Sequence, residues 1–513
     1  MSAEQGNHGR RPEAGGNVAD LVADAARQWP DSLALIDSGT GITLTWGAVD
    51  AAVNAEARRL LDAGLTAGDR VAVRLPTSTA FAVTLFGVLR AGGVAVPLSP
   101  QAPAAELIPL LEHCSPRLLV SAEPHADDLP EGVRGLEPPD VRGEPGERVE
   151  PAGAGEDIAV ISYTSGTTGP PRGVMLSHRA LLANVEQLSA IEPPVLEHAD
   201  RAFVAIPLFH VYGLGPGLLQ STAVGATVVL AQRFDARQAL ADCVTYQVTS
   251  IAGVPAMYAE FAALPPEELA AGLATVRRLT SGAAPLHPKV LAAVREATGI
   301  DVYEGYGLTE AAPVVTTTLV TGYPKPGSVG RPLPGVELRL VDSDGGAGPV
   351  PLDPDDLADS FDEEDGGTGL VSLRGANLFS GYWPDGDHGP DDEGWFRTGD
   401  VGYLDNEGDL HLVDRANDLI IVNGFNVYPN EVEQVIDELP EVEESAVVGV
   451  LDERSGEAVK AVVVPVSGAS LSEQQVIDQC TGRLATYKVP TTVEFAETLP
   501  HSPTGKLRRM RLR

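Results

Sequence analysis

Short apolar runs alternate with longer amphipathic stretches along the first part of the chain. Val71–Leu75 predicts a strand, Ser78–Ala91 a helix and Val94–Leu98 the next strand, and Leu107–Glu112 followed by Leu118–Val120 continues the alternation. This rhythm predicts an α/β fold of mainly parallel sheets flanked by helices. Ile158–Ile161 predicts a further strand. Beyond it Leu181, Leu182, Val185 and Leu188 share one helical face, and Ser177 stands where its hydroxyl can cap that helix.

After about Leu412 the pattern becomes that of a compact unit. Leu419–Val422, Ala446–Val450 and Ala458–Val464 predict strands, while Glu431–Leu439 and Val476–Leu484 predict helices. Roughly a hundred residues suffice for a small α+β domain. Ser121–Asp157, rich in Pro, Gly and acids, and the acidic Asp353–Gly367 predict surface loops. Met1–Gly16 is polar, lacks the apolar core of a secretory signal and predicts disorder.

Charge narrows what the chain can meet. Its 36 Lys and Arg stand against 72 Asp and Glu, a net charge of −36 that repels nucleic acid and anionic membranes at long range. A polyanionic substrate therefore requires a locally positive site. No charged residue lies between Arg201 and Arg233, a run long enough to raise the question of a membrane span. Pro207, His210, Pro216, Gln220 and several glycines predict a buried helix and strand instead, with no transmembrane segment. Cys114, Cys243 and Cys480 are dispersed, odd in number and without metal-ligand spacing, as in a reduced, cytoplasmic protein.

The chemistry concentrates in Tyr163-Thr164-Ser165-Gly166-Thr167-Thr168-Gly169-Pro170-Pro171-Arg172-Gly173-Val174, set between the strand at Ile158 and the helix after Ser177. Glycines let the backbone approach an anion, and clustered hydroxyls and N–H groups point donors at phosphate oxygens. No Gly-Lys-Ser/Thr triplet follows, so this is not a Walker A loop and a P-loop NTPase or kinase is disfavoured. Seven further blocks follow in order: Pro207-Leu208-Phe209-His210, Ser281-Gly282-Ala283-Ala284-Pro285-Leu286, Tyr306-Gly307-Leu308-Thr309-Glu310, Arg397-Thr398-Gly399-Asp400, Asp414-Arg415-Ala416-Asn417-Asp418, Gly424-Phe425-Asn426-Val427-Tyr428-Pro429 and Pro503-Thr504-Gly505-Lys506. Together they resemble the adenylate-forming superfamily of acyl-CoA synthetases, luciferases and peptide-synthetase adenylation domains, from about residue 18 to the C-terminus. The stretch Asn423–Glu431 and the Asp-Arg opening of the Asp414 block are most similar to fatty acyl-CoA ligases.

With 1–17 expected to be disordered from its polarity, the resemblance implies a large N-terminal domain over 18–413, a hinge over 414–418 containing Asn417, and a mobile α+β domain over 419–513. It implies a two-step ligase: a carboxylic acid and ATP give acyl-AMP and pyrophosphate, and CoA then takes the acyl group. Thr164, Ser165, Gly166, Thr167, Thr168, Gly169 and Arg172 would hold the phosphates, with Thr309 beside them and Glu310 carrying Mg2+. Gly282, Ala283, Ala284, Gly305, Tyr306 and Gly307 would enclose adenine, and Asp400 and Arg415 would grip the ribose. Lys506 would bridge carboxylate and α-phosphate. His210 would stand at the mouth of an acyl pocket lined by Val211, Tyr212, Gly213, Gly253 and Val254, and Gly424, Phe425 and Asn426 would face CoA.

Two residues depart from the family pattern: Arg172 replaces the loop's usual Lys, exchanging an ammonium for a planar fork, and Asn417 occupies a hinge position that normally holds Lys or Asp. The stretch around His210 has no acid for a substrate ammonium, so an aliphatic acid is expected over an amino acid, and an aryl acid stays open. Asp400 and Arg415 are too close for the insertion typical of ligases that load carrier proteins, which favours CoA over such a partner. A non-catalytic nucleotide or acyl-adenylate binder is the alternative from another class.

Overall fold

The computed structural model describes residues 15–123, 129–143, 146–164, 172–341, 368–415, 420–422, 425–452, 456–484, 486–501 and 507–512. Contacts divide the chain into two units, Met1–Pro324 with Pro332–Glu337 and Arg374–Phe396, and Lys325–Arg331 with Leu338–Leu373 and Arg397–Arg513. The α/β reading holds. One sheet of the first unit sets six strands in parallel, in the spatial order Leu33–Asp37, Thr227–Leu230, Arg201–Val204, Ser250–Gly253, Arg278–Ser281 and Val302–Gly307. Such strands are covered on both faces by crossover helices, which is why they read as apolar runs.

A second sheet of that unit carries Tyr382–Trp383, Arg172–Ser177, Ile158–Thr164, Val94–Pro97, Arg70–Arg74, Leu118–Ser121 and Arg134–Leu136 in that order. The sequence reading is corrected here in two places. The Gly/Thr loop does not run from a strand into a helix: Arg172–Ser177 is a strand that pairs antiparallel with Ile158–Thr164, Thr164 lying opposite Arg172 and Ser162 opposite Val174. Its Val174 and Leu176 are fully buried, so burial on the sheet outweighs the helical propensity of the residues that follow. The Ser121–Asp157 excursion also contributes a short strand, Arg134–Leu136, parallel to Leu118–Ser121.

The predicted helix cap is present. The Ser177 hydroxyl accepts the Ala180 N–H at 3.1 Å, a contact worth about 1 kcal/mol, and the helix His178–Ser189 buries Leu181, Leu182, Val185 and Leu188. The uncharged Arg201–Arg233 run folds as the strand Arg201–Val204, a π-helical turn Gly213–Leu219 continued by Gln220–Ala223, and the strand Thr227–Leu230. Among the described residues no helix is long and apolar enough to cross a membrane.

In the second unit, Val442–Asp452 and Gly456–Pro465 form a long antiparallel pair joined by Ile420–Val422 and Thr492–Phe495. The helices Pro429–Asp437 and Glu473–Thr481 close a core of Ile420, Val432, Ile436, Val447 and Val476. Residues 1–14 and the acidic 353–367 segment lie outside the described residues.

Candidate functional site

Four neighbouring parallel strands end on one edge of the first sheet. In α/β sheets that edge is where loops are free to receive a ligand. His210 follows the strand Arg201–Val204, Gly253 ends Ser250–Gly253, Gly282, Ala283 and Ala284 follow Arg278–Ser281, and Gly305, Tyr306 and Gly307 end Val302–Gly307 just before Thr309 and Glu310. Register brings them together: Gly253 lies opposite Ser281 and Ser281 opposite Glu304, and the Gly282 N–H donates to the Gly253 carbonyl.

Small residues here make room for aromatic rings. A Cβ on Gly282 would sit 3.2 Å from the Tyr212 ring, and one on Gly253 would sit 2.8 Å from the Tyr258 ring. The Tyr258 hydroxyl donates to the Thr280 carbonyl at 2.7 Å. Burial pushes the Tyr212 phenol up to about 12 despite its hydrogen bond to Thr280, so it presents a neutral ring and hydroxyl near pH 7. His210 is half-buried, and its Nδ1 accepts the Tyr212 N–H at 3.2 Å, which puts the proton of the neutral ring on Nε2. Val211 packs into the main core and Val254 is buried, while Gly213 is required by the backbone, since a Cβ there would lie 2.5 Å from the Pro207 carbonyl oxygen. Ala283 is exposed with a φ of 71°, a left-handed turn taken without glycine.

Glu310 sits in a 3-10 turn, Thr309–Ala311, entered through Gly307, where a Cβ would clash with the Pro313 carbonyl oxygen at 2.3 Å. Its backbone carbonyl accepts the Phe379 N–H at 2.9 Å, and its side-chain Oε1 accepts the Tyr382 hydroxyl at 2.7 Å. The Arg172 guanidinium lies 5.4 Å from the centre of the Tyr382 ring. Tyr382 thus joins two residues that sequence reading had placed in separate motifs. It sits 72 positions from Glu310, and no local pattern signals the contact.

A second missed residue is Glu304. Its carboxylate is 8% exposed and accepts the Leu286 N–H at 3.2 Å, holding the turn that carries Gly282–Ala284. Burial pushes its pKa up to about 7, against the opposing pull of that N–H. The available signal was an acid at an inward position of Val302–Gly307, two residues before buried Tyr306.

Asp400 is buried in the second unit and lies opposite Arg415 in the hairpin of Trp395–Leu404 and Leu410–Arg415. Of the CoA-facing candidates, Phe425 and Asn426 belong to the strand Phe425–Val427 by their backbone. Ser165, Gly166, Thr167, Thr168, Gly169, Asn417, Gly424 and Lys506 lie outside the described residues. No group of three or more His, Cys, Asp or Glu gathers as a metal cluster among the described residues. A half-buried carboxylate such as Glu310, with phosphate and water completing the shell, still fits the oxygen preference of Mg2+.

Known proteins resemble this chain along most of its length. A family model described as AMP-binding enzyme matches residues 22–383, and one described as AMP-binding enzyme C-terminal domain matches 431–506. A feruloyl-CoA synthase of an Amycolatopsis species is 36% identical over 499 residues, covering 94% of this chain and 95% of the relative. A long-chain-fatty-acid–CoA ligase of Bacillus subtilis is 32% identical over 544 residues, covering 96% and 94%. The crystal structure of ATP-bound MatB from Rhodopseudomonas palustris superposes with a TM-score of 0.86 at 31% identity, covering 97% of this chain and 98% of that one.

Proposed function

The chain belongs to the AMP-binding enzyme family, within the adenylate-forming superfamily, and on that premise we propose that it is an ATP-dependent ligase joining an apolar carboxylic acid to CoA. The observation that carries the reading is the convergence of His210, Gly253, Gly282–Ala284 and Thr309–Glu310 at the ends of adjacent parallel strands.

A carboxylate is a poor acyl donor because its charge repels nucleophiles and its oxide leaves badly. Attack of its oxygen on the ATP α-phosphorus expels pyrophosphate and gives a mixed anhydride. A thiol then adds to the acyl carbon and AMP leaves. Both first-step reactants are anions, so donors fixed in advance lower the barrier most. Arg172 supplies a cation beside the loop, and His210, whose Nδ1 accepts the Tyr212 N–H, is assigned to the substrate carboxylate. Lys506 is assigned the bridge between carboxylate and α-phosphate, Asp400 and Arg415 the ribose, and the segment from Gly424 the CoA side. Glu310 would hold Mg2+, whose charge, when bound, offsets that of the triphosphate.

The neutral Tyr212 ring, Gly253 and Gly282 packed under tyrosine rings, and buried Val254 supply neither a cation for a second carboxylate nor an acid for an ammonium. A medium to long aliphatic acid fits that lining. An aryl acid is the second reading, favoured by the flat Tyr212 ring against Gly282 and by the relative named feruloyl-CoA synthase. The test is acid-dependent ATP/pyrophosphate exchange, followed by mass spectrometry of thioesters formed from octanoate, palmitate, cinnamates, benzoate, malonate and amino acids. Formation of ADP and phosphate would sink the adenylation reading, and a preference for malonate or an amino acid would sink the pocket assignment.

A further inference from the structure

Residues 377–382 tie the hairpin that bears Arg172 to the turn that bears Glu310. The Asn377 side-chain amide donates to the Ala311 carbonyl at 2.8 Å, and the Phe379 N–H donates to the Glu310 carbonyl. On the other side the Ser380 N–H donates to the Met175 carbonyl, the Met175 N–H to the Gly381 carbonyl, and Tyr382 pairs with Val174. Gly381 has a φ of 95°, and a Cβ there would meet the Gly386 carbonyl oxygen at 2.0 Å, so this crossing requires glycine. The Tyr382 ring is set edge-on to Phe379 with centroids 5.1 Å apart. Strand pairing, the Gly381 turn and the Phe379 ring therefore place Tyr382 without help from its hydroxyl.

We propose that Tyr382 is a positioning residue for adenylation: its hydroxyl aims the Glu310 carboxylate, and its ring face holds the Arg172 guanidinium at the foot of the phosphate loop. A donor to an ionised carboxylate makes one of the stronger hydrogen bonds, and a guanidinium over a phenol ring loses orientational freedom while keeping its charge for an anion. The inference deepens the proposed adenylation and rests on it.

Two variants separate the two roles. Tyr382→Phe keeps the ring and removes the donor. It is expected to lower kcat for ATP/pyrophosphate exchange by on the order of 10- to 100-fold, the scale of one hydrogen bond to a charge, with the KM for ATP raised less than in Tyr382→Leu, because the hydroxyl's own hydrogen bond to Arg172 is lost while the ring under the guanidinium remains. Mn2+ binding in the presence of a non-hydrolysable ATP analogue, read by electron paramagnetic resonance without turnover, should weaken by a similar order. Tyr382→Leu should show the same metal defect and in addition raise the KM for ATP several-fold. Wild-type kcat and Mn2+ affinity in Tyr382→Phe would overturn the proposal. So would equal loss of kcat and ATP affinity together with a lowered unfolding midpoint, the signature of a merely structural residue. Absence of exchange in the wild-type protein would instead overturn the adenylation reading beneath it.

Discussion

Replacing Glu304 by Gln should make the first unit more stable above neutral pH while leaving it nearly unchanged in mild acid. The carboxyl moves from an ordinary 4.5 to about 7 in the folded chain, chiefly through burial. At 1.36 kcal/mol for each tenfold change in proton affinity, that displacement is about 3 kcal/mol. The sign follows from proton binding: between these two values the folded state holds a proton that the unfolded state has released, so stability is lost as pH rises through about 7. Gln keeps a carbonyl oxygen for the Leu286 N–H but buries an amide with donors to satisfy, a cost of about 1 kcal/mol. The net gain expected above pH 8 is about 2 kcal/mol. All four tryptophans, Trp29, Trp46, Trp383 and Trp395, lie in the first unit, so urea unfolding followed by tryptophan fluorescence reports the unit that contains Glu304. A variant-minus-wild-type difference that stays flat from pH 5 to 8.5 would refute the reasoning.

His178 predicts a slope of the opposite sign. Its buried ring accepts the Val18 N–H on Nδ1 at 3.0 Å, and burial lowers its pKa to about 4, so stability should fall as pH drops from about 6.5 through 4, and His178→Gln should flatten that limb in the same fluorescence assay. Because the Glu304 and His178 slopes oppose each other where their windows overlap, the wild-type curve alone will show little there and the difference curves carry both tests. Lys506→Ala should lose acyl-AMP formation by a factor on the order of 10² or more, yet convert synthetic acyl-AMP and CoA to thioester near the wild-type rate; equal loss of both steps would contradict its assignment to the first.

Much of the fold could be read locally. The Val94 strand, the Ser177 cap and the Leu181–Leu188 helix face each follow from residue type and spacing within a few positions, and each is present. The hairpin was missed because Gly173-Val174-Met175-Leu176 is too short an apolar run to declare its period, and what makes it a strand is pairing with Ile158–Thr164 and with the distant Tyr382–Trp383. The site divides in the same way. Glu310 stands in a local motif, but its partner Tyr382 and the burial of Glu304 are products of long-range packing, which no periodicity encodes. Left-handed Ala283 is likewise invisible, since Ala carries none of the preference that would announce such a turn.

Flanking the Gly/Thr loop by two paired strands turns its length into a question of odd and even. Successive side chains of a strand point to opposite faces, and the ladder sets Thr164 opposite Arg172. A change of one residue that the loop failed to absorb would slide the return strand by one position and carry Arg172 to the face away from Tyr382, along with every buried side chain of Gly173–Leu176. A change of two would restore the faces. Loop libraries built on this scaffold should therefore tolerate paired insertions better than single ones, a parity rule that a loop running straight into a helix would not impose.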